Sequence, residues 1–269
     1  MVFLKWELWY NKNVLIKQEN LGVDIMLEKD YSEITDKLVD WIQAKVENAG
    51  CEGAVIGLSG GIDSSVTSVL AKKAFPEHTL GLIMPCYSNP QDQEDAKKVA
   101  EKFDIPYKII DLDFVFDQFL TTLEGQEKVE RDNLAAANLK PRLRMAALYY
   151  YANKRNSLVI GTDNRSELKI GYFTKFGDGG IDIAPLGNLV KSEVREVAKV
   201  LGIPEQIITK KPSAGLWDGQ TDEGELGFSY EELDKYILTG EARDEVKEKV
   251  DELAEKNQHK LEMPPLPKF

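Results

Sequence analysis

The chain has 269 residues, 42% hydrophobic and 30% charged, enough for one large α/β domain of ordinary globular composition. Its 34 Lys and Arg against 46 Asp and Glu leave a net charge of −12, which argues against broad attraction to nucleic acid or to an anionic membrane. No window approaches the roughly 20 apolar residues that span a bilayer, the N-terminus lacks a signal-peptide pattern, and Cys51 and Cys86 have no metal-type spacing, so free thiols in a cytoplasmic, reducing setting are expected.

Residues 1–25 carry Trp6 and Trp9 and read in two ways. They are either an added β-hairpin turning at Asn11-Lys12-Asn13 or sequence ahead of a start at Met26. Residues 26–269 are expected to form a single domain. From Tyr31 to Asn48, apolar residues recur at Ile34, Leu38, Trp41, Ile42 and Val46, the spacing of an amphipathic helix. Strand-like runs follow at 54–58, 79–84, 107–111 and 157–161, separated by helical patterns at 64–74, 90–103, 113–123 and 131–154. This alternation predicts a doubly wound, open parallel sheet flanked by helices. A further helix from about Ser192 closes at Leu201-Gly202-Ile203-Pro204. Residues 209–229 read as a mobile loop, and two charged helices, about 230–238 and 242–258, follow.

The stretch 54–65 concentrates the chemistry. A short apolar run reaches Gly57 and Leu58, passes Ser59, Gly60, Gly61 and Ile62, and becomes periodic at Asp63, Ser64 and Ser65. That order predicts strand, tight loop and helix N-terminus. Glycines let backbone N–H groups approach an anion, and the helix end adds unpaired donors and a positive dipole. No Gly-Lys-Ser/Thr ending follows, so this is not the kinase-type P-loop. Asp63 would repel phosphate unless a divalent cation joined the ligand.

The Ser-Gly-Gly-x-Asp-Ser run resembles the pyrophosphate loop of the N-type ATP pyrophosphatases, whose sheet is of the adenine nucleotide α-hydrolase type. Five more segments narrow the resemblance: 139–145 around Lys-Pro-Arg, Gly161-Thr-Asp-Asn-Arg-Ser-Glu167, 171–182 with Phe-Thr-Lys-Phe-Gly-Asp-Gly-Gly, 210–223 around Pro-Ser-Ala-Gly, and His259-Lys260. Together with Lys191 they resemble the ammonia-dependent NAD⁺ synthetase family over residues 30–262.

The resemblance implies that ATP adenylates the carboxylate of deamido-NAD⁺, that pyrophosphate leaves, and that ammonia then displaces AMP. It implies ATP contacts from the loop residues 57–65, Thr162, Lys191 and Ser213. Asp63 and Glu167 are implied as Mg²⁺ ligands, with Asp63, Glu167 and Lys191 as the catalytic set. Arg142, Lys175, Asp182, His259 and Lys260 are implied to bind deamido-NAD⁺, and Asp178 and Asp182 to orient ammonia. Phe173 and Phe176 are read either as stacking residues or as core. Three positions depart from the family pattern: Ile62 in place of Gln, Ser213 in place of Thr, and Asn164 in place of His.

The family likeness further implies a homodimer, with Leu143, Ala146, Ala147, Tyr150 and Tyr151 at the interface or in the core. Almost the whole chain is used by the synthetase, so free ammonia rather than glutamine is the expected donor. The competing readings are another ATP-pyrophosphatase amidotransferase of the GMP-synthetase kind and a nucleotide-binding sensor without turnover.

Overall fold

The computed structural model describes residues 29–125, 133–213 and 221–267. The segment 1–25 and residues 214–220 of the expected loop lie outside them. Among the described residues four parallel strands form one sheet: β1 (Gly53–Gly57), β2 (Thr79–Ile83), β3 (Tyr107–Ile109) and β4 (Ser157–Val159), in the order β3-β2-β1-β4. Ala54 pairs with both Thr79 and Leu158, so β1 is an interior strand. The strand period of two sorts side chains between the faces. Ala54 and Ile56 enter one apolar cluster and Val55 enters the other.

Helices cover both faces, as the alternation predicts. α1 (Tyr31–Asn48), α2 (Ile62–Ala74), α3 (Pro90–Lys102) and α7 (Lys191–Leu201) share the first cluster through Ile42, Val66, Val99 and Val194. α4 (Asp113–Glu124) and α5 (Leu134–Lys154) pack on the other face through Phe116, Leu120 and Leu139. Ile42 and Val46 are fully buried, whereas Trp41 stays exposed and carries the Lys45 ammonium 5.6 Å from its ring centroid. The apolar stripe of α1 is therefore narrower than its spacing suggests. Ile62 is buried in the first cluster, which explains why an apolar residue is tolerated inside a phosphate loop.

The expected loop over 209–229 is corrected in part. Before it lies a short helix, α8 (Glu205–Ile208), and within it lies α9 (Asp222–Leu226). Thr221 caps α9 by accepting from the Gly224 N–H, and Gly227 ends it at φ +76°. Five residues are too few to show a helical period, so the caps were the only local signal. α10 (Tyr230–Thr239) and α11 (Asp244–Asn257) join α6 (Arg165–Ile170) in a third cluster around Ile170, Leu226, Tyr230, Leu233 and Val250.

The strand order creates the site. From β1 the chain steps outward to β2 and β3, then returns to place β4 on the opposite side of β1. The carboxyl ends of β1 and β4 thus flank a topological switch point, where open α/β sheets bind ligands.

Candidate active site

The turn after β1 is shaped by Gly60. Its φ is +79°, and a Cβ there would lie 2.2 Å from the Asp92 carbonyl oxygen. Lys210 holds the same turn by donating to the Gly60 carbonyl at 3.4 Å, to Asp92 Oδ1 at 2.7 Å and to Asp95 Oδ2 at 2.8 Å. α2 begins at Ile62, two residues earlier than its apolar period suggested, because Gly61 is extended and serves as its N-cap. Among the described residues no side chain caps it, so first-turn N–H groups remain for an anion. Ser64 and Ser65 are buried, and both hydroxyls donate to the Gly61 carbonyl, at 3.0 and 2.7 Å. Ser59 and Ser64 exchange a hydroxyl hydrogen bond of 2.9 Å. The serines therefore brace the loop from within.

Across the switch point three charged side chains converge. Lys191 Nζ lies 2.6 Å from Asp63 Oδ2 and 3.0 Å from Glu167 Oε1, with its side chain only 3% exposed. Burial alone would lower the lysine's proton affinity; the two carboxylates reverse that and raise it. Burial and the neighbouring Asp63 push Glu167 up to about 7, against the opposing pull of Lys191.

Asn164 orients both acids, a role its sequence position did not disclose. It is fully buried, its Nδ2 donates to Asp63 Oδ1 at 2.9 Å, and its backbone N–H donates to Glu167 Oε2 at 3.1 Å. Its own Oδ1 accepts from the Ser166 and Glu167 N–H groups, capping α6. Asn-Arg-Ser-Glu is a capping-box pattern, which was the available signal. One oxygen of each acid is thus committed to Asn164, and the other faces a common cation. That donor set fits a hard divalent ion completed by water and phosphate oxygens. Among the described residues, no three His, Cys, Asp or Glu side chains form a self-sufficient metal cage.

Asp163 is 6% exposed, and its Oδ2 has no hydrogen-bond partner among the described residues. Burial, followed by the charges of Asp178, Glu167 and Asp63, holds its carboxyl well above the ordinary 3.8. The folded chain keeps a proton there that the unfolded chain releases, so stability from this group is full below about pH 4 and is lost as pH rises towards the raised folded value. Asp163→Asn, a neutral isostere, should therefore raise Tm more at about pH 8 than at about pH 5. Equal gains at both pH values in thermal melts contradict this.

The segment 171–182 folds back beside α5 and the chain end. Arg142 Nη2 donates to the Lys175 carbonyl at 3.5 Å, and Lys175 Nζ donates to the His259 carbonyl. Lys260 Nζ donates to the carbonyls of Gly171 and Phe173 at 2.7 and 2.9 Å, so this amine fastens the segment. Arg142, Lys175, His259 and Lys260 are thereby brought to one neighbourhood. Asp182 points elsewhere: it accepts from the Val159 N–H at 2.8 Å and from the Tyr149 hydroxyl at 3.1 Å. Phe173 is core, while Phe176 is exposed at φ +61°. Asp178 Oδ1 accepts from the Thr174 N–H at 3.0 Å. Thr162 is half-buried beyond β4, and Ser213 is exposed. A further cation that the motifs passed over is Arg144, which donates to the Met84 carbonyl at 3.0 Å and to Ser88 Oγ at 3.2 Å, at the end of β2.

A parallel sheet with a glycine-rich anion loop and paired acids at its switch point defines an adenine nucleotide α-hydrolase-like protein. A model of the NAD synthase family matches residues 34–264. The chain is 52% identical over 238 residues to the NH(3)-dependent NAD(+) synthetase of Carboxydothermus hydrogenoformans, covering 88% of this chain and 98% of the relative. The corresponding protein of Archaeoglobus fulgidus is 46% identical, with 88% and 97% covered. Among solved structures, an NMN synthetase from Francisella tularensis superposes with a TM-score of 0.85 at 40% identity, covering 90% of this chain and 100% of that one. An NH3-dependent NAD synthetase from Campylobacter jejuni, in complex with the nitrate ion, gives 0.72 at 35% identity, with 89% and 100% covered. The chain belongs to the NAD synthase family and is a ligase forming a C–N bond. These likenesses do not favour a GMP-synthetase-like enzyme or a sensor without turnover. No helix among the described residues is long and apolar enough to cross a membrane.

Proposed function

We propose that the chain amidates deamido-NAD⁺ to NAD⁺ with free ammonia, using ATP and passing through an adenylated carboxylate. The observation that carries this reading is the convergence of Asp63, Glu167 and Lys191 beside an uncapped helix N-terminus. A carboxylate resists ammonia because its oxygen leaves poorly; joining it to AMP supplies a good leaving group. Moving AMP between two anions requires alignment and charge neutralisation, and this site is built from those two elements. The residues 57–65 bind the ATP phosphates, aided by Thr162 and Ser213. Lys191 holds phosphate oxygens and stabilises charge on the departing pyrophosphate. Asp63 and Glu167 hold Mg²⁺, which supplies further neutralisation of the phosphates when bound.

Arg142, Lys175, His259 and Lys260 receive the dinucleotide, with Asp182 fixing the strand end beside it and Asp178 orienting ammonia. The protein acts as a cytoplasmic homodimer. Supporting that reading, Tyr150 on α5 is 60% exposed, and Phe114, Phe119 and Leu123 leave an apolar face on the neighbouring α4. Leu143, Ala147 and Tyr151 pack against the sheet instead, so of the expected interface set only Ala146 and Tyr150 are exposed.

Purified protein with ATP and Mg²⁺ should release AMP and pyrophosphate only when deamido-NAD⁺ is present, and should form NAD⁺ with ammonium. Turnover supported by glutamine where ammonium fails contradicts the reading. A second reading, amidation of the mononucleotide, is favoured by the likeness to the Francisella protein. Comparing kcat/KM for deamido-NAD⁺ and nicotinic acid mononucleotide separates the two.

A further inference from the structure

α10 carries none of the residues assigned to the reaction, yet its inner face touches two of them. Ser229 accepts from the Glu232 N–H and fixes the helix start at Tyr230. Tyr230 and Asp234 are therefore i and i+4, one above the other on one face. They are 1% and 3% exposed.

Asp234 acts on backbone. α7 starts at Lys191 and has no side-chain cap of its own, because its N-cap residue is Val190. Asp234 meets the orphan donors from another helix: Oδ2 accepts from the Ser192 N–H at 2.7 Å and Oδ1 from the Lys191 N–H at 3.3 Å. The same Oδ1 accepts from the Ser166 hydroxyl at 2.5 Å. Ser166 adjoins Glu167 in the first turn of α6. One buried carboxylate thus ties together the helix starts that bear Lys191 and Glu167. Tyr230 acts on the side chains themselves. Its ring centroid lies 4.9 Å from Lys191 Nζ, within cation–π range. Its hydroxyl is 3.4 Å from Glu167 Oε1 and 3.1 Å from Asp222 Oδ2. Asp222 in turn donates its backbone N–H to the Pro212 carbonyl, next to Ser213. A chain of contacts therefore runs from the Pro212 carbonyl through Asp222 and Tyr230 to Glu167.

We infer that Tyr230 and Asp234 are positioning residues that set the geometry between Glu167 and Lys191, and that they do so without touching substrate. The inference rests on the proposed roles of those two residues. Glu167 has one oxygen held by Asn164, and the Tyr230 hydroxyl reaches the other. Losing that hydroxyl removes one lateral contact from the oxygen that faces the cation, which Lys191 Nζ still holds at 3.0 Å. Losing one acceptor of Asp234 lets the α7 terminus shift relative to α6.

The test uses full-length Tyr230→Phe and Asp234→Asn, measured by binding of Mn²⁺ with ATP in electron paramagnetic resonance and by steady-state kinetics. Tyr230→Phe keeps the ring under Lys191, so folding is expected to survive. It should weaken Mn²⁺ binding by about 10-fold and raise the Mg²⁺ needed for half-maximal rate by a similar factor, the scale for residues that orient metal ligands. kcat at saturating Mg²⁺ should stay near that of the unmodified chain. Asp234→Asn should lower kcat by about 10- to 100-fold, as a small misplacement does. Unchanged Mn²⁺ affinity in Tyr230→Phe overturns the inference even if Asp234→Asn fails to fold. A lower Tm with unaltered metal affinity and kinetics in both variants also overturns it. The Mn²⁺ measurement stands apart from turnover, so failure to make NAD⁺ would overturn the functional reading alone.

Discussion

Lys191→Met is expected to lower NAD⁺ formation by at least ~10²-fold, the scale for removing one preorganised charge-stabilising donor. A second effect appears without substrates. In this structure the Lys191 ammonium sits between Asp63 and Glu167 at 2.6 and 3.0 Å, on the oxygens that Asn164 leaves open. It is a tethered cation at the place proposed for the metal. Methionine leaves the two acids facing one another. Breaking a buried pair in this way costs about 3–5 kcal/mol, reduced here because Glu167, already pushed up to about 7 by burial and Asp63, readily takes a proton. Mg²⁺ alone should then raise the Tm of the variant, because a ligand bound only to the folded state stabilises it. The unmodified chain should respond little until ATP draws Lys191 towards the phosphates. Thermal melts with and without Mg²⁺ decide the matter; an equal Tm gain in both proteins contradicts the tethered-cation arrangement.

Gly60→Ala should be nearly as damaging, and for a different reason. At φ +79° an alanine costs about 1–3 kcal/mol through backbone strain alone. Its Cβ would also lie 2.2 Å from the Asp92 carbonyl, which belongs to the backbone of α3 and has no rotamer to change. The turn must open, and the Lys210 bridge to Gly60, Asp92 and Asp95 loosens with it. The expected result is an ATP KM raised at least ~10-fold together with a lower Tm, since about 1.4 kcal/mol of lost binding is a factor of ten. Gly61→Ala is the control. Its φ is −91°, and its Cβ would meet only Ser59 Oγ, at 3.4 Å. Comparable losses in both variants would show that loop strain is not the cause.

The fold was legible because hydrophobic period changes at each element boundary. β1 and β2 are apolar runs buried on both faces, and α1, α3 and α4 each carry an apolar stripe, so the alternation of strand and helix reads largely from the chain, although α5 shows no clear apolar period. α9 escaped because five residues carry no period. In the proposed site, Asp63, Glu167 and Lys191 were singled out by motif resemblance, and the structure brings the three side chains together. Asn164 was noticed only as a departure from the family pattern, although its capping box with Glu167 was written in the sequence. Tyr230 and Asp234 were passed over because the helix bearing them looks like a charged terminal helix. Their proposed positioning role comes from contact with residues 63 and 43 positions away.

By itself the sequence determined the class of chemistry: an anion loop without a lysine, an aspartate within it, and a second acid after a later strand. Those are properties of short segments, set by local backbone preference and residue type. Only the tertiary structure decided which atoms meet. Lys191 and Asp63 are 128 residues apart. Their contact exists because β4 returns to the side of β1 opposite β2 and because α10 supplies the cap that α7 lacks. Packing of distant elements sets such contacts, and no local pattern encodes them.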